Sequence, residues 1–154
     1  MTIQYHNRNR RPEDLEQGAK YVSRAELLAT LDVVSLNLPL NVHTKHTMSN
    51  PEFKAMNKWA ILINTARGAV VDGPALIAAL ESGEIPGAGL DVYDNEPTIP
   101  AQLLQHPRAV CLPHIGTLSY ETQKERDAFS IRNQKTGLST GNLGNVVPEQ
   151  KGLW

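Results

Sequence analysis

Cysteine and surplus charge are both scarce in this chain, and each scarcity removes a class of proteins. One cysteine, Cys111, among 154 residues forbids an intrachain disulfide and fits a reducing compartment. A formal net charge of -1 gives no field that would draw in nucleic acid or an anionic membrane. No apolar run is long enough for a spanning helix, and no apolar core follows the early positive charges as a secretory signal requires. The expectation is a soluble, cytoplasmic protein with neither membrane nor nucleic acid as a partner. Also missing is a Gly-x-Gly-x-x-Gly turn, the device that lets a pyrophosphate approach a helix N-terminus closely. Gly87-Ala-Gly89 leads into a strand pattern and has no third glycine. A Gly-x-Ser-x-Gly nucleophile elbow is absent too, and His43 and His46 lack a convincing third ligand for zinc.

What is present is a succession of short apolar runs separated by helical patterns. Strands are expected at Met1–His6, Tyr21-Val22, 33–38 (closed by Pro39), 60–64, 88–92 and 110–112. Between them, 11–18 reads as a short helix with Pro12 early and Gly18 as its stop. Ser23-Arg-Ala-Glu26 reads as a capping box opening an amphipathic helix that carries Leu27, Leu28 and Leu31. Asn50 before Pro51 opens the next helix, with Phe53 and Met56 on one face. Pro74–Leu80 is stopped by Gly83, and 121–133 reads as a polar amphipathic helix. Apolar strands alternating with helices describe an α/β fold, a doubly wound parallel sheet covered on both faces. From about Lys135 the composition turns to Gly, Ser, Thr, Asn and Pro, which predicts an extended tail over 135–154.

Three blocks at strand ends carry the chemistry: Ile61-Leu-Ile-Asn-Thr-Ala-Arg-Gly-Ala-Val-Val-Asp72, Gly89-Leu-Asp-Val-Tyr-Asp-Asn-Glu-Pro97 and Cys111-Leu-Pro-His-Ile-Gly116. Ligands of doubly wound sheets bind beyond the carboxyl ends of the strands, so Arg67, Asp91, Glu96 and His114 are expected to share one crevice. A guanidinium fork matches a carboxylate in two places and never loses its charge. An imidazole titrates near neutrality and can give up a proton at the right moment. Taken singly, each residue has a plain alternative: a surface ion pair for Arg67, a solvated turn for Glu96, a structural histidine for His114, a strand-end cap for Asp91.

Taken in order, the three blocks resemble the D-isomer-specific 2-hydroxyacid dehydrogenases, nearest to the glyoxylate/hydroxypyruvate reductase branch. The resemblance covers nearly all of the chain and implies a partial Rossmann-like NAD(P)-binding domain over 1–134. It implies Arg67 as the carboxylate grip, His114 as the proton donor and Glu96 as its carboxylate partner. On the cofactor side it implies Thr65, Ala66 and Arg67 approaching the nicotinamide half, and Asp91 accepting from its carboxamide. Leu38, Pro39 and Leu40 form an apolar wall at the adenine end, and His114 to Gly116 close the pocket. The turn after the first strand, His6-Asn-Arg-Asn-Arg-Arg11, has Asn7 and Arg8 where an NAD-selective fold places an acid. That favours NADP(H) over NAD(H), with a solvent-facing basic loop as the alternative. Trp59 and Gly73 depart from the family pattern.

By the family's layout, the substrate lobe, the first strand, its glycine turn and the first helix would precede Met1. Without that strand, the strands at Ile3 and Val33 either pair with each other or leave an apolar edge open. The implied function is reduction of a small 2-oxo acid to a D-2-hydroxy acid, with little or no turnover expected from this chain alone, and the implied assembly is a homodimer. The alternative is a non-catalytic dinucleotide-domain remnant that serves as an interaction module.

Overall fold

The structure, a computed structural model, describes residues 1–147; the end of the expected tail, from Pro148 onward, lies outside the described residues. Two compact units result, Met1–His114 and Ile115–Trp154.

The first unit begins with β1 (Gln4–Tyr5), α1 (Glu13–Glu16) and β2 (Lys20–Tyr21), and β1 and β2 pair in parallel as a two-stranded sheet. Gln17 in the left-handed conformation and Gly18 at φ +83° end α1 as the sequence predicts. Then follow α2 (Arg24–Thr30), β3 (Val33–Leu36), α3 (Asn50–Ala55), β4 (Ile61–Asn64), α4 (Gly73–Ser82), β5 (Gly87–Leu90), α5 (Ala101–Leu104) and β6 (Ala109–Cys111). β3 to β6 form one parallel sheet in the order β3-β4-β5-β6. The caps explain the helix starts. Ser23 Oγ accepts from the Glu26 N–H at 3.1 Å, Ser49 and Glu52 form a full capping box one residue ahead of the expected Asn50, and Asp72 accepts from the Ala75 N–H at 3.2 Å. The Asp72 cap makes good the acid that Gly73 lacks.

Helix packing buries one face of the four-stranded sheet. Val34, Leu36, Leu62, Ala88 and Leu90 of the strands close against Leu28, Phe53, Leu76, Ala79, Leu80 and Leu103 of the helices. Burying a side chain such as Phe53 or Leu80 contributes about 1.5–3 kcal/mol. The opposite face carries Val33, Ile61 and Val110, which remain 51%, 42% and 64% exposed. The α/β parallel sheet is as expected, while among the described residues helices cover one of its faces, and topology gives the reason. Parallel crossovers are right-handed, so a sheet whose strands succeed one another in a single direction receives all its helices on one side. Helices reach the second side when the order reverses, and here the strands that would reverse it form a separate sheet. β1 pairs with β2 and not with β3. Of the two expected outcomes, the open apolar edge is the one realised among the described residues.

In the second unit, α6 runs over Tyr120–Thr140, seven residues beyond the expected end at Asn133, so the expected extended tail loses its first part to helix. Gly137 does not break it. A side chain there would meet Leu143, which folds back over that position, and the stop is Gly141 at φ +72°. Hydroxyls of Thr136 and Thr140 bond carbonyls four residues earlier, which lets these residues sit inside a helix. Among the described residues, no helix is long and apolar enough to cross a membrane.

Candidate active site

The strand register brings four carboxyl ends level, because Leu36 pairs with Asn64, Asn64 with Leu90, and Leu90 with Cys111. The segments that follow therefore crown one edge of the sheet: Asn37–Leu40, Thr65–Arg67, Asp91–Glu96 and Leu112–His114. This is the edge where parallel α/β sheets bind ligands.

Asn64 shapes the arginine turn. Its side chain is fully buried, its Oδ1 accepts from the Ala66 N–H at 3.1 Å and its Nδ2 donates to the Arg67 carbonyl at 3.1 Å. A buried amide must find partners, and here those partners are the two peptide groups that aim Arg67. The Arg67 side chain is exposed and its Nη1 donates to the Ala66 carbonyl at 2.6 Å. Gly68–Val70 then forms a 3-10 turn.

Glu96 and His114 meet directly. Glu96 Oε2 lies 2.8 Å from His114 Nδ1, and Oε1 accepts from the Tyr93 N–H at 2.8 Å. A carboxylate only accepts, so the hydrogen of this pair sits on Nδ1 and Nε2 is the other end of the ring. The bond from His114, then the Tyr93 N–H, hold the Glu96 carboxyl below its ordinary range. His114 has φ +56°, a left-handed backbone that is uncommon for a residue with a Cβ and that concentrates at functional sites. Tyr93 is buried, and its hydroxyl donates toward the carbonyls of Leu90 and Leu112, 3.1 and 2.9 Å away. Burial raises its hydroxyl's pKa.

The expected residues divide between two hollows. Glu96 and His114 line a small cavity of about 130 Å³ with Tyr93, Pro97, Ile99 and Pro113. Leu38, Pro39, Leu40, Thr65, Ala66 and Arg67 line a wider cleft of about 700 Å³ together with Asn37. Both hollows lie along the one sheet edge that the register brings level. Asp91 is buried directly after β5, where its N–H donates to the Asn64 carbonyl at 3.0 Å. Asn7 and Arg8 lie exposed after β1, with Asn7 Oδ1 accepting from the Arg8 N–H at 2.9 Å. Within the arginine cluster, Arg10 is engaged with Glu16 at 2.8 and 3.0 Å; that pairing, with the Tyr5 hydroxyl, lowers the Glu16 carboxyl to about 2. Gly116 belongs to the second unit.

Sequence reasoning passed over Asn64, Tyr93 and Gly68. A polar residue closing the apolar run Ile61-Leu-Ile was a signal for Asn64; nothing local marked Tyr93, whose partners are set by the fold.

Comparison with known proteins matches residues 1–116 to the D-isomer specific 2-hydroxyacid dehydrogenase, NAD binding domain. The chain is 48% identical to 4-methyl-2-oxopentanoate reductase A of Aspergillus oryzae, over 100% of this chain and 47% of that protein. It is 42% identical to glyoxylate reductase 1 of Saccharomyces cerevisiae, over 94% of this chain and 41% of that one. A crystal structure of a glyoxylate reductase from Paecilomyes thermophila superimposes with a TM-score of 0.91 at 52% identity, covering 98% of this chain and 46% of the other. An NADPH-dependent glyoxylate/hydroxypyruvate reductase of Sinorhizobium meliloti, in complex with NADP and malonate, superimposes with a TM-score of 0.88 at 33% identity, covering 96% and 46%. The chain spans about half the length of the curated relatives it matches. With a parallel sheet, a family match over most of its length and relatives alike in sequence and structure, the chain belongs to the D-isomer-specific 2-hydroxyacid dehydrogenases and carries their NAD-binding region.

Proposed function

We propose that this chain contributes the nicotinamide-side half of a reductase that converts small 2-oxo acids of the glyoxylate/hydroxypyruvate type to D-2-hydroxy acids, with NADP(H) preferred over NAD(H). The observation that carries the proposal is the 2.8 Å pair of Glu96 with His114 Nδ1, at the same sheet edge as the Arg67 turn. Arg67 grips the substrate carboxylate and draws electron density from the adjacent ketone. His114, with Nδ1 committed to Glu96, delivers a proton from Nε2 to the alkoxide that forms. Glu96 holds the ring in that tautomer and stabilises its protonated state before transfer. A bound nicotinamide dinucleotide supplies the hydride.

The apolar walls of Leu38, Pro39 and Leu40 and the adjoining turn of Thr65 and Ala66 suit the nicotinamide and adenine portions, and Asp91 suits the carboxamide. Exposed Arg8 beside Asn7 suits a ribose 2′-phosphate. The pyrophosphate has no glycine cradle in this sequence. Positioning and water exclusion supply several kcal/mol of barrier lowering in enzymes, on the order of 7 or more for full orientation, so turnover by the chain alone is low. Malonate in the Sinorhizobium relative and the reductase names of other relatives support the small-diacid and 2-oxo-acid class. A homodimer is the proposed assembly.

The test is loss of NADPH absorbance on addition of glyoxylate. A slow rate that falls a further 10²-fold or more in His114→Ala supports the proposal; a rate indifferent to Arg67→Ala and His114→Ala overturns it. The uncovered row Val33, Ile61 and Val110 favours a second reading, an interaction module for another polypeptide, and that reading predicts binding undiminished by both substitutions.

A further inference from the structure

Gly68 follows Arg67, and its backbone does not adopt the left-handed conformation that usually demands glycine. Space is what demands it. A Cβ at this position would overlap the Tyr93 carbonyl carbon and oxygen and the Asp94 nitrogen, so the arginine turn is pressed against the peptide that opens the Tyr93–Glu96 turn. Such an approach between two main chains is closed to every residue with a side chain. Each of the two turns is then fixed from behind: Asn64 clamps Ala66 and Arg67, while the Tyr93 hydroxyl ties its own turn to the ends of β5 and β6 through Leu90 and Leu112. From Tyr93 the chain of contacts continues through its N–H to Glu96 Oε1, and through Oε2 to His114.

We propose that Gly68 and Tyr93 are positioning residues that join the Arg67 turn to the Glu96–His114 pair as one rigid body. This assignment rests on the reductase reading for the roles of the residues it aligns, though the joint itself is a matter of geometry. Its function is to keep the substrate grip and the proton donor in fixed relation, so that a misplacement of either turn is felt by both.

The test uses the chain itself and needs no turnover. Imidazole nitrogen NMR reports which His114 nitrogen carries hydrogen, and carboxyl carbon NMR follows the Glu96 titration. Gly68→Ala, checked for folding by circular dichroism, is expected to erase the Nδ1–H signature and to move the Glu96 titration upward toward the ordinary carboxylate range. Tyr93→Phe keeps the backbone donor but unties the turn, and is expected to move both signals in the same direction by less. Gly73→Ala, at a glycine with open space around it, is the control and leaves both unchanged. A folded Gly68→Ala protein with wild-type His114 and Glu96 signals overturns the proposal, as does an equal change in the control. Should Gly68→Ala fail to fold, Tyr93→Phe decides: unmoved signals overturn the joint. Glyoxylate reduction indifferent to Arg67→Ala and His114→Ala would sink the reductase reading and leave these spectra standing.

Discussion

Glu96 Oε2 lies 2.8 Å from His114 Nδ1, and the pairing lowers the carboxyl's pKa in the folded chain. The sign of its pH effect follows. A carboxyl whose folded value is depressed below the ordinary 4.5 adds stability that is fully present above that value and fades as pH falls through the lower one. We expect urea midpoints measured across the acid range to drop less steeply for Glu96→Gln than for the wild type, and to converge at the most acidic pH. Parallel slopes for the two proteins would show that the pair contributes nothing to folding.

Asn64 is the second point of leverage. Replacing its buried side chain by leucine, similar in volume but without hydrogen-bonding atoms, strands the Ala66 N–H and the Arg67 carbonyl. The expected loss is about 1–3 kcal/mol, read as a shift of the urea midpoint at unchanged slope. Asn64→Asp keeps an acceptor for the Ala66 N–H but turns a buried carboxylate oxygen toward the Arg67 carbonyl, and is expected to lose at least as much. A neutral leucine variant would mean that water replaces the amide.

Val33 and Ile61 stand directly opposite each other in the β3–β4 register on the uncovered face, with β3 at the sheet edge. A charge on a sheet edge discourages strand addition. Val33→Lys is therefore expected to change stability by no more than about 0.5 kcal/mol while lowering light scattering at high concentration. Greater scattering in the variant would place the sticky surface elsewhere.

Much of this fold could be read from residue order because its signals are local. Runs such as Ile61–Asn64 and stops such as Gly18 and Gly83 act within a few residues of themselves. Glu96 and His114 were legible as a pair by resemblance, and they do meet. What sequence could not supply was set by the topology. Whether the second sheet face is covered depends on where the chain reverses direction, not on any residue in β3 or β4. The anchoring of Glu96 by the Tyr93 N–H is set by how the turn after β5 folds. Helix α6 was cut short in the reading because the composition after Lys135 turns to Gly, Ser and Thr, which here are carried inside the helix by hydroxyl bonds to preceding carbonyls.

Helix α6 has 21 residues and none of its side chains is buried. Its hydrogen bonds are thus guarded by its own turns and by the Ser119 and Gly141 caps, and a helix so supported opens readily at its ends. In deuterium its amides should exchange early and progressively from both termini inward, while those of β4 and β5, locked under Leu62 and Leu90, wait for the first unit to open as a whole.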